Sequence, residues 1–251
     1  MDASTVAALS LGFVYGLRHA LDADHMVAVS TIVSQHRSVA RSSLVGTFWG
    51  LGHTVSIFAI GLVVLLLKVS IPRSIELWME MAVALMLMLL GGGVLLGALR
   101  ERGIVLHSHP HTHDGELAHS HLHVHGSEGH EHRHQMIRLG RKPFVVGMIH
   151  GMAGSAAVTV AALTTIPSIA LGLAYIALFG LGSIGGMLLM SAMIGVPFAV
   201  TARRLSSINL PVRIVAGLLS LVFGLILAWE LWSMMLAEHP YHCCRKAVHA
   251  P

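Results

Sequence analysis

Charge is scarce in this 251-residue chain: Asp, Glu, Lys and Arg together make up 11% of it. A soluble globular domain carries roughly 25%, so few groups are present to keep a water-facing surface dissolved. Aromatics are also sparse, at 6%, and the two cysteines, Cys243 and Cys244, are adjacent. That excludes a framework of disulfides and leaves the redox compartment unread. No G-x-x-x-x-G-K-[ST] loop occurs, so ATP is not hydrolysed by a P-loop, and no H-E-x-x-H marks a zinc protease. The N-terminus lacks the charged n-region and cleavage site of a secretory signal, so its first apolar run is expected to remain as a helix.

What the chain has is apolar residues, at 55%, with a mean hydropathy of +0.74. They cluster in long runs, so bilayer is the expected solvent and partner. Stretches of about 20 mostly apolar residues fall at Val6–Ser34, Ser43–Leu67, Leu77–Leu99, Phe144–Ile166, Ile169–Thr201 and Leu210–Ala237. The expected class is an all-α polytopic membrane protein with six transmembrane helices. Residues 1–99 form a first three-helix half, 100–142 a cytoplasmic loop, 143–237 a second half and 238–251 an external tail. Gly185, Gly186 and Pro197 predict a broken or kinked fifth span, and Pro167-Ser168 a tight hairpin before it.

The sequence pI near 9.5 invites nucleic acid as a partner. The basic residues instead flank the apolar runs, and no basic face with interleaved aromatics appears. Eleven (Arg37, Arg41, Arg100, Arg102, Arg133, Arg138, Arg141, Lys142, Arg203, Arg204 and Arg213) fall on one side, against four (Lys68, Arg73, Arg245 and Lys246) on the other. The positive-inside rule puts the richer side in the cytoplasm of a cell (inner) membrane, with both termini outside.

A faint internal repeat accompanies the six spans. Gly16-Leu17-Arg18-His19 reads like Gly147-Met148-Ile149-His150 at an offset of 131, and Val27 and Val29 match Val158 and Val160. Gly50-Leu51-Gly52 matches Gly180-Leu181-Gly182 at an offset of 130. Three spans per half is odd, so the halves would be inverted, a 3+3 arrangement with a binding site near the midplane.

The first span holds five ionisable residues in Arg18-His19-Ala20-Leu21-Asp22-Ala23-Asp24-His25. Charges inside a membrane are expensive and mark pathways; the bland alternative is a polar network joining helices. On a continuous helix, at about 100° per residue, His19, Asp22 and His25 share an arc of about 120°. Two imidazoles and a carboxylate there suit a borderline divalent metal. Arg18 is placed to pair with Asp22, while Asp24 points elsewhere, toward another helix or a histidine behind the ligands. His53 and His150, at similar depth in other spans, are candidate ligands or merely hydrogen-bonded core residues. Gly180, Gly182, Ser183, Gly185 and Gly186 give a small-residue face, read chiefly as close helix packing.

From His107 to His134 the loop holds 11 histidines, a composition that binds Ni²⁺, Cu²⁺, Zn²⁺ or Co²⁺ and is too polar to fold alone. It is expected to be flexible and to buffer, sense or deliver metal rather than form the path. His239, His242, Cys243 and Cys244 read as an untidy tail more than as a site.

Arg18-His19-Ala20-Leu21-Asp22-Ala23-Asp24-His25 resembles the H-x-x-x-x-D-H signature of the nickel/cobalt transporter family, and Leu51-Gly52-His53-Thr54 resembles its second motif. The likeness is strong over roughly the first 60 residues. Longer members have eight spans with the signature in the second, whereas here it lies in the first of six; six spans and a His-rich loop also resemble related nickel/cobalt exporters and urease-linked nickel permeases. The resemblance implies that His19, Asp24 and His25 are signature positions, with Asp22 and His53 beside them. It implies Ni²⁺ or Co²⁺ as cargo, with no permanently bound cofactor and no enzymatic activity. A cytoplasmic metallochaperone or nickel-enzyme maturation protein is the implied recipient. The expected function is secondary uptake of nickel or cobalt; efflux, and a membrane metal sensor or accessory protein that transports nothing, are the alternatives.

Overall fold

The computed structural model describes residues 3–69, 71–102, 107–108, 122–123, 135–153, 168–204 and 206–238. The helices are α1 (Ala3–His19), α2 (Ala23–Val33), α3 (Val39–Leu67), α4 (Arg73–Arg102), α5 (Gln135–Met152), α6 (Ile169–Arg204) and α7 (Ser206–Glu238). Four of them, α3, α4, α6 and α7, are long and apolar enough to cross a membrane. In the loop, β1 (His107–Ser108) and β2 (Leu122–His123) form a two-residue antiparallel ladder with His107 opposite His123. The other loop histidines, Val158, Val160, Pro167, His239, His242, Cys243 and Cys244 lie outside the described residues.

Large apolar side chains face outward, and polar side chains are buried among the apolar core. Leu89 and Trp229 are 77% and 75% exposed, whereas His25, His53, Ser183, Ser191 and Ser220 are buried. Two buried hydroxyls bond across helix pairs: Ser56 donates to the Met148 carbonyl at 2.8 Å, and Ser220 to that of Leu87 at 2.9 Å. Each such bond between membrane helices contributes about 0.6 kcal/mol.

Glycines set the helix spacing, because their missing Cβ lets backbones touch. A Cβ on Gly16 would overlap the Phe179 carbonyl, and one on Gly182 would overlap that of Phe13, locking α1 to α6. Likewise a Cβ on Gly147 would overlap the Trp49 carbonyl, and one on Gly52 that of Phe144, locking α5 to α3. The two sets of contacts correspond under the offsets of 130 and 131. Contacts run in the same direction in both pairs: Gly12–Tyr175 then Ala20–Gly186, and Trp49–Gly147 then His53–Gly151. By contrast α3 and α6 are antiparallel, through Gly46–Ser191, Gly50–Ile184 and Thr54–Gly180; so are α4 and α7, through Ala84–Gly224 and Gly91–Gly217.

The discontinuity lies in the first span, not the fifth. The first ends as α1 at His19, turns through Ala20, Leu21 and Asp22, and resumes as α2 in the same sense along α6, where Val33 meets Gly195. Asp22 is the N-cap of α2, with extended backbone at φ −64° and ψ 148°. Of the expected break or kink at Gly185, Gly186 or Pro197, a break is absent, because α6 is one 36-residue helix containing Pro197. Gly186 serves packing instead: its Cβ would lie 2.7 Å from that of Ala20. The broken strip of backbone in α1–α2 therefore sits against an unbroken helix.

Candidate metal centre

His53 is the fifteenth of the 29 residues of α3, and so lies at its middle. Its ring is fully buried and neither ring nitrogen has a hydrogen-bond partner. The break between α1 and α2 brings His19 and His25 to it, with ring centroids 5.1 and 5.2 Å from that of His53 and 4.6 Å from one another. His150, near the end of α5, stacks on His25 at 4.1 Å. Four imidazoles from four helices thus meet in the interior.

Their carboxylates settle which nitrogen is free. An ionised carboxylate can only accept, so each ring nitrogen facing one carries the proton. His19 Nδ1 donates to Asp22 Oδ2 at 2.8 Å, and His25 Nδ1 to Asp24 Oδ1 at 3.2 Å. His150 Nε2 donates to Asp24 Oδ2 at 2.7 Å, and the His25 backbone N–H to Asp24 Oδ1 at 2.9 Å. The opposite nitrogens, His19 Nε2, His25 Nε2 and His150 Nδ1, are buried without a partner. A buried lone pair left unpaired is costly; three imidazoles in this state can serve as donors to a cation, each held by a carboxylate behind it in the manner of metalloprotein histidines.

One ring nitrogen from each of His19, His25 and His53 lies within 4.8 Å of the others, and ligand atoms of Asp24, His25 and His150 form a second such group. Two nitrogens in one metal shell can be at most about 4.2 Å apart, twice a bond of about 2.1 Å. Three nitrogens around one ion cannot all reach that limit and average no more than about 3.6 Å apart, so the group closes by up to about 1.2 Å per pair, partly by ring rotation. The helix ends help: the C-terminus of α1 at His19 is the negative end of its dipole, and Asp22 and Asp24 offset the positive N-terminus of α2.

All six candidate residues are neighbours, but the two aspartates differ from the straight-helix expectation. The side chain of Asp22 is 54% exposed and bonds His19 from outside; it neither converges with the ring nitrogens nor pairs with Arg18. Asp24 joins His25 of α2 to His150 of α5. The cause is the turn at Ala20–Asp22, which breaks the regular angular advance of a helix. A further residue, Glu80 of α4, lines a cavity of about 260 Å³ together with His19, Asp24 and His150. Its sequence signal was a carboxylate inside the otherwise apolar Leu77–Leu99 run.

Comparison with known proteins bears on what this centre handles. The NicO family, described as high-affinity nickel-transport protein, matches residues 5–238. The chain is 35% identical over 222 residues to the urease accessory protein UreH of Bacillus sp. (strain TB-90), covering 86% of this chain and 88% of that one. No solved structure matches it.

Proposed function

The chain belongs to the NicO family of high-affinity nickel-transport proteins, and from that premise we infer that it is a secondary permease carrying Ni²⁺ into the cytoplasm. Membership makes it a membrane protein of metal transport; direction, ligands and coupling are the proposal. The observation that carries it is the set of unpartnered, buried imidazole nitrogens on His19, His25 and His53, gathered where the break between α1 and α2 faces the middle of α3. These three bind the ion, His150 supplies a fourth lone pair, and Asp22 and Asp24 hold the rings in the ligating tautomer. Imidazole suits nickel.

Six spans as a 3+3 inverted repeat are part of the same reading. The reciprocal contacts of Gly16 with Phe179, Gly147 with Trp49, Gly182 with Phe13 and Gly52 with Phe144 support it. Parallel α1–α6 and α3–α5 pairs with antiparallel α3–α6 are what inversion requires. The ion would pass as the halves rock about the midplane. Two charges crossing 100 mV gain about 4.6 kcal/mol, enough to drive uptake without ATP. With both termini outside, the His-rich loop faces the cytoplasm, where it buffers the ion and delivers it to a maturation protein. The resemblance to a urease accessory protein supports that last step.

The test is ⁶³Ni²⁺ accumulation in cells expressing the wild type, His19→Ala, and a deletion of residues 107–134, with insertion checked. Uptake abolished by His19→Ala and retained at more than half its initial rate by the deletion is expected. Lowered accumulation that depends on His19 would mean export instead. No flux of nickel or cobalt by the inserted wild type would refute the carrier and leave an accessory protein.

A further inference from the structure

We propose that Glu80 is the outer capture residue of the ion path: with Asp24 and His150 it forms a vestibule site for a hydrated divalent transition-metal cation. This rests on the reading of the His19–His25–His53 centre as a carrier site. Four observations lead there. Glu80 lines the same cavity as His19, Asp24 and His150. Its carboxylate has no hydrogen-bond or ion-pair partner among the described residues, whereas Glu76, one turn earlier, is held by Arg73 at 3.2 Å. His150, itself buried, has Nδ1 without a partner. The side chain of Asp24 is 33% exposed, while those of His25 and His53 are closed off.

Depth orders these groups along a path. Glu80 is the eighth residue of α4, about 10 Å along its axis from Arg73. It is two residues past the exposed Trp78, and exposed Trp232 lies toward the same end on antiparallel α7, where Arg73 reaches the Met234 sulfur. Exposed tryptophans of this kind mark a membrane–water interface, and the basic-residue bias makes it the external one. Glu80 therefore lines the cavity from near the outer end of α4, and on this reading Asp24, His150 and His19 form its inner end.

The dimensions suit an ion that still carries water. Six waters at about 30 Å³ each occupy about 180 Å³, less than the cavity of about 260 Å³. A carboxylate at the mouth attracts the hydrated cation, and the remaining side chains of the lining, those of Ala23, Val83, Ala153, Phe223 and Leu227, offer it no competing ligand. Asp24 and the His150 lone pair then draw it inward, where imidazole nitrogens replace its waters. The step is ligand exchange, with no change of oxidation state.

The experiment is initial-rate ⁶³Ni²⁺ uptake into right-side-out vesicles at fixed membrane potential, for wild type, Glu80→Gln, Glu80→Asp and Glu76→Gln. Glu80→Gln should raise the apparent KM about tenfold and lower Vmax less than twofold, with Glu80→Asp recovering most of the loss. The KM of the wild type should rise more steeply with ionic strength than that of Glu80→Gln, because salt screens the attraction that the variant lacks. Glu76→Gln should stay within twofold of wild type. An unchanged KM in Glu80→Gln, an equal effect of Glu76→Gln, or a loss confined to Vmax would each overturn the capture site while leaving the carrier intact. Absence of wild-type flux would overturn both.

Discussion

Replacing Asp24 by asparagine keeps the side chain's size and removes its charge at the point where two helices share one carboxylate. Asp24 accepts from the His25 ring at 3.2 Å, the His25 backbone N–H at 2.9 Å and His150 Nε2 at 2.7 Å. An amide offers one accepting oxygen, so at least one of the two rings loses its partner and the freedom to rotate or change tautomer returns. Loss of a carboxylate behind a metal-bound histidine weakens metal binding about 10- to 100-fold, or about 1.4 to 2.7 kcal/mol. With two rings affected, the upper part of that range is expected for Asp24→Asn. Asp22→Asn disturbs His19 alone, through a half-exposed contact at 2.8 Å, and about tenfold or less is expected. The assay is the apparent KM for ⁶³Ni²⁺ in membranes matched for protein content. A continuous first helix would place Asp22 among the ligands and reverse the order. If Asp22→Asn is the more damaging, or if Asp24→Asn shifts KM less than threefold, the assignment of Asp24 as the shared hinge of the centre is wrong.

Two further outcomes follow from the packing and the ligand chemistry. Gly182→Val drives a side chain into the Phe13 carbonyl and should lower the melting temperature in detergent or prevent insertion, whereas Gly93→Ala, with nothing within 4 Å, should be neutral or raise it by removing up to about 1 kcal/mol of helix penalty; a thermal shift assay separates them. Acidifying the external medium from pH 7.5 to 5.5 at constant potential should raise the apparent KM for nickel, since protons compete with the ion for the imidazole lone pairs; a KM that falls instead would argue against histidine ligation on the uptake side.

The composition, and the residues that gather in the candidate centre, were legible in one dimension. Long apolar runs require membrane helices because backbone groups have no water to bond in a bilayer, and α3, α4, α6 and α7 follow the runs within a few residues. His19, Asp22, Asp24, His25, His53 and His150 stood out because ionisable groups in such runs need a reason to be there. The small-residue face of the fifth span was also readable, since Gly180, Gly182 and Gly186 each meet a neighbouring helix.

Tertiary structure alone decided the contacts within that set. A helix assumed continuous assigns faces by a fixed rotation, so one turn at Ala20–Asp22 was enough to exchange Asp22 and Asp24. Whether the turn forms depends on what surrounds it: His19 takes the Asp22 side chain, and α6 supports α1 and α2 on either side of the break. The partnership of Asp24 with His150, 126 residues away, and the opening of Glu80 into the same cavity are likewise long-range facts. Local sequence selects residues that can bind an ion; packing between distant helices selects which lone pairs are left without a partner.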